Sequence, residues 1–184
     1  MYGIVNQAIQ GLVVEEFGKE KWELIKQRSG LDYDYFVSNE SYDDNITYEL
    51  VGSASEILDI SPEEVLRAFG EYWILRTGYE RYGDLMKAGG SSFYEFISNL
   101  PNFHGRVMLI YPNLSPPEFL TEQISETEIY LHYYSSRSGL TEFVVGLING
   151  LAKMFNEEIK VKHVKSDHDK VWHDVFYIEV IEKV

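Results

Sequence analysis

Polar side chains occupy every second position in part of the segment LHYYSSRSGL, residues 131–140. Alternate side chains of an extended strand point the same way, so Tyr133, Ser135 and Arg137 are expected on one face. An arginine fork pairs bidentately with a carboxylate, and two hydroxyls can donate to the remaining oxygens. The row therefore predicts either a carboxylate clamp or a solvated polar face on an exposed strand.

A histidine, His104, lies in the apolar segment LPNFHGRV. One interpretation is a core histidine that is hydrogen-bonded to a backbone carbonyl. The other is an axial haem ligand, because a neutral imidazole in an apolar pocket commonly holds a haem iron. The second interpretation would give the row at 133–137 a purpose, since the two haem propionates need charge and donors at the rim of their pocket.

Two further groups of polar residues could do other chemistry. The segment HVKSDHDKVWHD places three histidines among aspartates, a composition typical of a zinc or nickel site in a hydrolase: His163, His168 and His173. Their five-residue spacing fits neither one helix face nor one strand face, so we interpret KSDHDK as the exposed turn of a hairpin. Asp43 and Asp44 are adjacent and diverge. A helix cap or a contact with a basic residue is expected for them, rather than paired acid–base chemistry.

The composition excludes several classes of protein. The 184 residues include 16 Lys and Arg against 30 Asp and Glu, which gives a formal charge of −14. This charge repels phosphate backbones and anionic membranes, so no nucleic acid and no membrane partner is expected. The absence of cysteine excludes disulfides, thiolate nucleophiles and cysteine-based zinc sites. The sequence shows no pattern of a signal peptide or membrane span, so a cytoplasmic protein is expected.

The elements that must position these residues follow from capping signals and hydrophobic periodicity. Capping-box patterns start helices at Ser61 and Ser92, and Pro101 restarts a helix just ahead of His104. In the second half the period changes to two, with one long apolar helix between the alternating segments. We therefore expect an α+β fold, in which an N-terminal helical part is followed by an antiparallel four-stranded sheet with a long helix. No linker or repeat divides the chain, so residues 1–184 are expected to form one domain.

The order of these segments resembles the haem-nitric oxide/oxygen binding domains, H-NOX, which include the sensor domain of the beta subunit of soluble guanylate cyclase. The resemblance runs almost end to end. It is carried by MYGIVNQAIQGLV, the YDD of residues 42–44, RAFGEYW, NLPNFHGRV, IYPNLSPPEF and YYSSR followed by GLTEFVVGLI. It implies a haem b buried between the helical part and the sheet, in a sensor rather than an enzyme.

The resemblance also implies a role for each matching position. His104 falls on the proximal haem ligand. The positions of the propionate clamp match Tyr133, Ser135 and Arg137. The positions that press on the haem and distort it match Pro117 and Ile4. The implied lining of the pocket is apolar and consists of Leu66, Trp73, Leu100, Phe143 and Leu147, with Trp73, Phe143 and Leu147 on the distal side.

The same resemblance implies which gas binds. Oxygen-binding members place a tyrosine hydroxyl over the distal site, whereas this chain has Phe143 at about that place and no later tyrosine before Tyr177. A missing hydrogen bond of about 1–3 kcal/mol lowers affinity by about one to two powers of ten. Nitric oxide and carbon monoxide are therefore the expected ligands. Oxygen binding through the indole of Trp73 is the alternative.

Similar members without the tyrosine imply how the signal leaves. Nitric oxide weakens the iron bond trans to it, so release of His104 would free its helix and relieve the contacts of Pro117 and Ile4. The chain ends at Val184 without a kinase or cyclase domain, so we expect output through a partner in trans, such as a histidine kinase or a diguanylate cyclase. A metal-dependent hydrolase built on the three histidines and a cofactor-free interaction module are the competing hypotheses.

Overall fold

The chain places helices first and a sheet second, as the α+β expectation requires. The computed structural model describes residues 1–32, 35–111, 115–167 and 171–183. The helices are α1 (Gly3–Phe17), α2 (Lys19–Arg28), α3 (Asp44–Leu58), α4 (Pro62–Tyr72), α5 (Tyr79–Lys87), α6 (Phe93–Ser98), α7 (Leu100–Ile110) and α8 (Thr141–Phe155). The strands are β1 (Glu118–Gln123), β2 (Glu128–Ser135), β3 (Glu157–Asp167) and β4 (Trp172–Lys183). The predicted fold class is confirmed.

The helices begin where their capping residues are. At α4 the Ser61 hydroxyl accepts from the Glu64 amide at 3.2 Å, and the Glu64 carboxylate accepts from the Ser61 amide at 3.0 Å. At α6 the Ser92 hydroxyl accepts from the Glu95 amide, while the Glu95 carboxylate accepts from the amide of Ser91. In the second helix the glutamate therefore bonds to the amide of the residue before the N-cap, and not to the amide of the N-cap itself. Both arrangements satisfy amides that the first helical turn leaves without partners.

A stretch of π-helix joins α4 to α5, which the periodicity does not predict. It spans Trp73–Gly78, and the backbone of Tyr82 then departs from helical geometry at φ −130° and ψ 16°. Such wide turns are rare overall, but those that occur often lie at functional sites, because they turn side chains away from the regular helical face. Here the stretch includes Trp73.

The sheet has the strand order β1-β2-β4-β3, and each neighbouring pair is antiparallel. Along β2 the buried residues alternate with half-exposed ones, so one face is turned to the interior. The buried face of β2 consists of Ile129, Leu131, Tyr133 and Ser135. In the register with β4, Tyr133 stands opposite Asp174 and Ser135 opposite Trp172.

Two glycines bring α4 and α8 together. A Cβ at Gly146 would lie 2.2 Å from the Arg67 carbonyl oxygen, and a Cβ at Gly70 would lie 2.2 Å from the Phe143 carbonyl oxygen. Because no side chain fits at either position, the two helices pack backbone against backbone. This contact joins a core of helices α1 to α4 to a second core between α8 and the sheet. In the described part of the chain, no helix is both long and apolar enough to cross a bilayer.

Candidate functional site

A cavity of about 620 Å³ lies between the helical part and the sheet. Cofactor and ligand pockets commonly have volumes of roughly 300–1,000 Å³. The wall is built from both cores, and most of it is apolar. All the residues that the sequence singled out as a haem site line this one cavity: His104, Tyr133, Ser135, Arg137, Ile4, Leu66, Trp73, Leu100, Pro117, Phe143 and Leu147.

His104 presents a neutral imidazole to the cavity from the middle of α7. The Pro117 carbonyl oxygen accepts a hydrogen bond from it, and burial lowers the pKa of His104 to about 4. The rings of Phe103 and Phe119 stand 5.9 and 5.8 Å from it. Because one ring nitrogen is committed to the carbonyl, the tautomer is fixed and the other nitrogen keeps a lone pair for a metal. The imidazole is therefore suited to be a single axial ligand.

The polar row is turned to the interior of the protein. Tyr133 is 3% exposed and Ser135 is 5% exposed, so the interpretation as a solvated strand face is wrong for these two residues. Arg137 does not continue the strand, because β2 ends at Ser135. The Ser135 hydroxyl instead accepts from the Arg137 amide at 3.0 Å, which turns the chain so that the guanidinium lies at the rim of the cavity.

Asp44 holds the guanidinium of Arg137 in place. The Arg137 Nε donates to the Asp44 Oδ2 at 2.7 Å, and its Nη1 donates to the Ser115 carbonyl oxygen at 3.1 Å. Burial raises the pKa of Asp44, but hydrogen bonds from the Met1 amino group and from Arg137 outweigh it and leave the pKa below its usual value. The neighbouring Asp43 caps α3 by accepting from the Asn45 amide at 2.8 Å. The two carboxylates thus have the divergent roles that the sequence indicates.

An aromatic wall closes the side of the cavity formed by α4 and α8. The ring of Phe143 packs on Phe69 at 4.6 Å, and Phe69 meets the indole of Trp73 edge to face at 6.5 Å. Phe69 was not predicted from the sequence, although it lies on α4 between Leu66 and the π-helical Trp73 and lines the same cavity. Its spacing of three and four residues from them is the signal that could have identified it.

Several tyrosines that sequence reasoning missed also line the cavity, and their hydroxyls are engaged by the protein. Tyr48 donates to the Ser138 carbonyl oxygen at 2.9 Å, and the Tyr42 hydroxyl accepts from the Val37 amide at 2.9 Å. Tyr82 and Tyr111 share a hydrogen bond, and burial together with this contact raises the pKa of Tyr82. These residues come from distant parts of the chain, so no local pattern places them at the cavity.

A match to a family model identifies the protein family. The family model of haem-NO-binding domains matches residues 2–163. The chain belongs to the haem-NO-binding family. Domains of this family are haem-based gas sensor domains related to soluble guanylate cyclase, and they bind diatomic gases and signal to effectors. The resemblance to H-NOX and the cofactor haem b, both expected from the sequence, are confirmed.

Individual relatives agree with this membership. Among Caenorhabditis elegans proteins, the soluble guanylate cyclase gcy-31 is 26% identical over 92% of this chain, and the soluble guanylate cyclase gcy-35 is 29% identical over 99%. The chain spans about a quarter of the length of these relatives, 24% and 28% respectively.

Solved structures of other H-NOX proteins share the fold. An H-NOX protein from S. oneidensis in the Fe(II)NO state superposes with a TM-score of 0.88 at 23% identity, covering 99% of this chain and 100% of that one. A single-site mutant of the H-NOX protein from T. tengcongensis superposes with a TM-score of 0.86 at 22% identity, covering 100% of both chains.

The histidines near the C-terminus of this haem-NO-binding domain do not form the metal site that their sequence could suggest. His163 Nε2 lies 3.1 Å from the Asp174 carboxylate, on the inner side of the sheet. His173 follows on the opposite face, since neighbours in a strand point to opposite sides. His168 lies outside the described residues. Within the described residues, no three His, Asp or Glu side chains are gathered as metal ligands.

Asp174, one of the aspartates beside these histidines in the sequence, has a structural role that the sequence does not predict. It is fully buried and accepts from Thr141 Oγ1 at 2.7 Å and from Trp172 Nε1 at 2.9 Å. Burial raises its pKa, but these donors, the Ser166 hydroxyl and His163 outweigh that effect, and the pKa stays below its usual value. The carboxylate fastens the β3–β4 hairpin to the first residue of α8, directly beside Tyr133 in the register.

Proposed function

We propose that this domain senses nitric oxide and carbon monoxide, discriminates against oxygen, and signals to a partner protein in trans. One observation carries the proposal: a neutral imidazole and a buried row of polar side chains line the same apolar cavity. Haem, when bound, supplies an iron with an open coordination position for a diatomic gas.

His104 is the proposed proximal ligand. Its low pKa keeps the imidazole neutral at pH 7, and its bond to the Pro117 carbonyl orients the ring. A hydrogen-bonded imidazole is also a more basic ligand than an unassisted one. Ile4 and Pro117 line the same cavity, and we assign them a contact that would press on the ring of a bound cofactor.

Tyr133, Ser135 and Arg137 form the proposed propionate clamp. Asp44 and Ser115 take two of the five N–H groups of the guanidinium, so others remain for a carboxylate at the cavity rim. A guanidinium that is already fixed loses less side-chain entropy on binding than a free one. Leu66 and Leu100 are assigned to the apolar lining.

The proposed distal side is the wall that contains Trp73, Phe143 and Leu147. Among the tyrosines that line the cavity, Tyr42, Tyr48, Tyr82 and Tyr111 have hydroxyls that are hydrogen-bonded to the protein, which supports a distal side without a phenolic donor. A hydrogen-bond donor on this wall would favour oxygen, the more polarised of the two ligands when bound, so a wall without one would disfavour oxygen more than nitric oxide.

α7 is the proposed output element. It carries His104 in its middle and ends in Leu109 and Ile110, which are 84% and 60% exposed. A change of the bond at His104 would therefore move a surface that solvent and partners can reach. A histidine kinase or a diguanylate cyclase is the proposed recipient of this signal.

The visible spectrum of the reduced, haem-loaded protein tests this proposal. Under argon we expect the band of a five-coordinate ferrous haem, no change on admission of air, and a shift with nitric oxide or carbon monoxide. A stable oxygen spectrum in air would overturn the gas assignment, and its loss in Trp73→Phe would identify the indole as the donor. No haem band after loading would overturn the whole proposal.

A further inference from the structure

The outer face of the sheet, opposite the cavity, carries imidazole and phenol rings in close contact. His132 and Tyr134 alternate along β2 with Tyr133 and Ser135, so their side chains point away from the cavity. On β4 His173 stands opposite Tyr134, and the two rings stack at 4.1 Å with 12° between their planes. The stack fixes the orientation of the His173 imidazole.

The two imidazoles face each other through ring nitrogens. His132 Nδ1 lies 3.1 Å from His173 Nε2, and the ring planes are only 22° apart. A tetrahedral zinc ion with Zn–N bonds of about 2.0–2.1 Å holds two nitrogen ligands about 3.3 Å apart. The nitrogens therefore stand within a few tenths of an ångström of the separation that a bound cation requires.

A carboxylate stands behind one of the two rings. Glu122 Oε2, on β1, lies 3.8 Å from His132 Nε2, the nitrogen that faces away from His173. It favours the tautomer with the proton on Nε2, which leaves the Nδ1 lone pair directed at His173. A carboxylate behind the far nitrogen of a histidine is the usual outer partner of a metal-ligating imidazole.

We infer that His132 and His173 form a binding site for a first-row transition-metal cation such as Zn²⁺ or Ni²⁺, with Glu122 as the outer partner of His132. Without metal, the Nε2 proton of His173 is shared with His132 Nδ1. Binding of the cation breaks this hydrogen bond: the Nε2 proton of His173 is lost to water while Nδ1 takes one up, and both imidazoles direct their free lone pairs at the cation. In the described part of the chain no three His, Asp or Glu side chains are placed to hold a metal together, so water is the expected source of the remaining ligands.

The chemistry of the donors sets the selectivity of this site. Neutral imidazoles bind Ni²⁺ and Zn²⁺ far better than Mg²⁺, which prefers oxygen ligands. The net charge of −14 draws divalent cations to the protein in general, so Mg²⁺ serves as the control for attraction without coordination. The site is independent of the proposed haem site, since its side chains lie on the other face of the sheet.

Calorimetric titration of the haem-loaded protein, produced without a histidine tag, tests the inference. We expect one equivalent of Zn²⁺ or Ni²⁺ to bind, and no saturable binding of Mg²⁺. His173→Phe keeps a ring on Tyr134 but removes the ligand nitrogen, and it should weaken Zn²⁺ binding at least about tenfold, as should His132→Gln. Glu122→Gln should weaken it by a smaller factor.

His163→Gln is the matched control, because His163 contacts Asp174 on the inner side of the sheet. Its affinity for Zn²⁺ should stay within about twofold of the wild type. The haem band of every variant reports that the fold is intact. No binding of Zn²⁺ up to millimolar concentration, wild-type affinity in both His132→Gln and His173→Phe, or loss of binding in His163→Gln would each overturn the inference.

Discussion

The Nε of Arg137 donates to the Asp44 carboxylate over 2.7 Å, joining the loop after β2 to the first turn of α3 at the rim of the cavity. Asp44→Asn removes the charge that holds the guanidinium and keeps the shape of the side chain. Because the pair is partly exposed, we expect a moderate effect, with haem release about three- to tenfold faster. Transfer of haem to excess apomyoglobin measures this rate.

Asp43→Asn is the control for that substitution. It makes the same change of charge one residue earlier, and asparagine caps a helix as well as aspartate. Its haem release should match the wild type. If Asp44→Asn released haem no faster than Asp43→Asn, Asp44 would not be positioning the clamp.

Acid should destabilise the haem-free protein through His104. Its folded-state pKa of about 4 is below the value of 6.5 for an unperturbed histidine, so between these values the unfolded chain binds a proton that the folded chain rejects. The free energy of unfolding should fall as the pH drops from 6.5 towards 4, and below pH 4 the contribution of His104 should no longer change. Between pH 7 and 5 the contribution of His104 is roughly 1–2 kcal/mol.

Urea unfolding at pH 7 and pH 5 checks this expectation. His104→Gln removes the titrating group, so the variant should lose less stability than the wild type by that amount. The other histidines are common to both proteins and cancel in the difference. Equal losses would mean that His104 is not held neutral by burial.

Gly146→Ala should force α8 away from α4. The new methyl group would meet the Arg67 carbonyl oxygen, which belongs to the backbone and cannot rotate aside. We expect a loss of about 1–3 kcal/mol in the free energy of unfolding. Gly52→Ala is the matched control, because a Cβ there meets nothing within 4 Å, and in α3 it should stabilise by up to about 1 kcal/mol. A Gly146→Ala protein as stable as the wild type would show that the two helices separate easily.

Phe143→Tyr should confer oxygen binding. It places a hydroxyl donor on the proposed distal wall, and we expect oxygen affinity to rise by about one to two powers of ten. Phe155→Tyr makes the same change on the same helix beside Phe96, outside the lining of the cavity, and should leave affinity unchanged. Spectra of both ferrous variants under increasing oxygen distinguish the outcomes. An unchanged affinity in Phe143→Tyr would remove Phe143 from the distal side.

The features that the sequence predicts are those with local signals. The capping box at Ser61, the restart of a helix at Pro101 and the alternation around Tyr133 each depend on neighbours within a few residues, and each is found in the structure. The prediction of the cavity lining came from a resemblance that runs almost end to end. Local physics and family pattern together were sufficient for the fold, while the roles of the individual site residues stay predictions.

The features that the sequence does not predict depend on distant contacts. Asp44 and Arg137 are 93 residues apart, and nothing near either residue indicates the pair. The approach of Gly146 to Arg67 and the hydrogen bonds of the cavity tyrosines arise only when the two cores meet. Arg137 was misplaced in the strand because alternation does not show where a strand ends.

The absorption spectrum of His104→Gly, loaded with haem in the presence and absence of imidazole, tests the central claim most directly. The glycine leaves an open space where free imidazole can take the place of the missing side chain. We predict a haem band of the wild-type kind only when imidazole is added, while His163→Gly keeps the band without it. A His104→Gly protein that binds haem with the wild-type spectrum and no imidazole would contradict the assignment of His104 as the ligand.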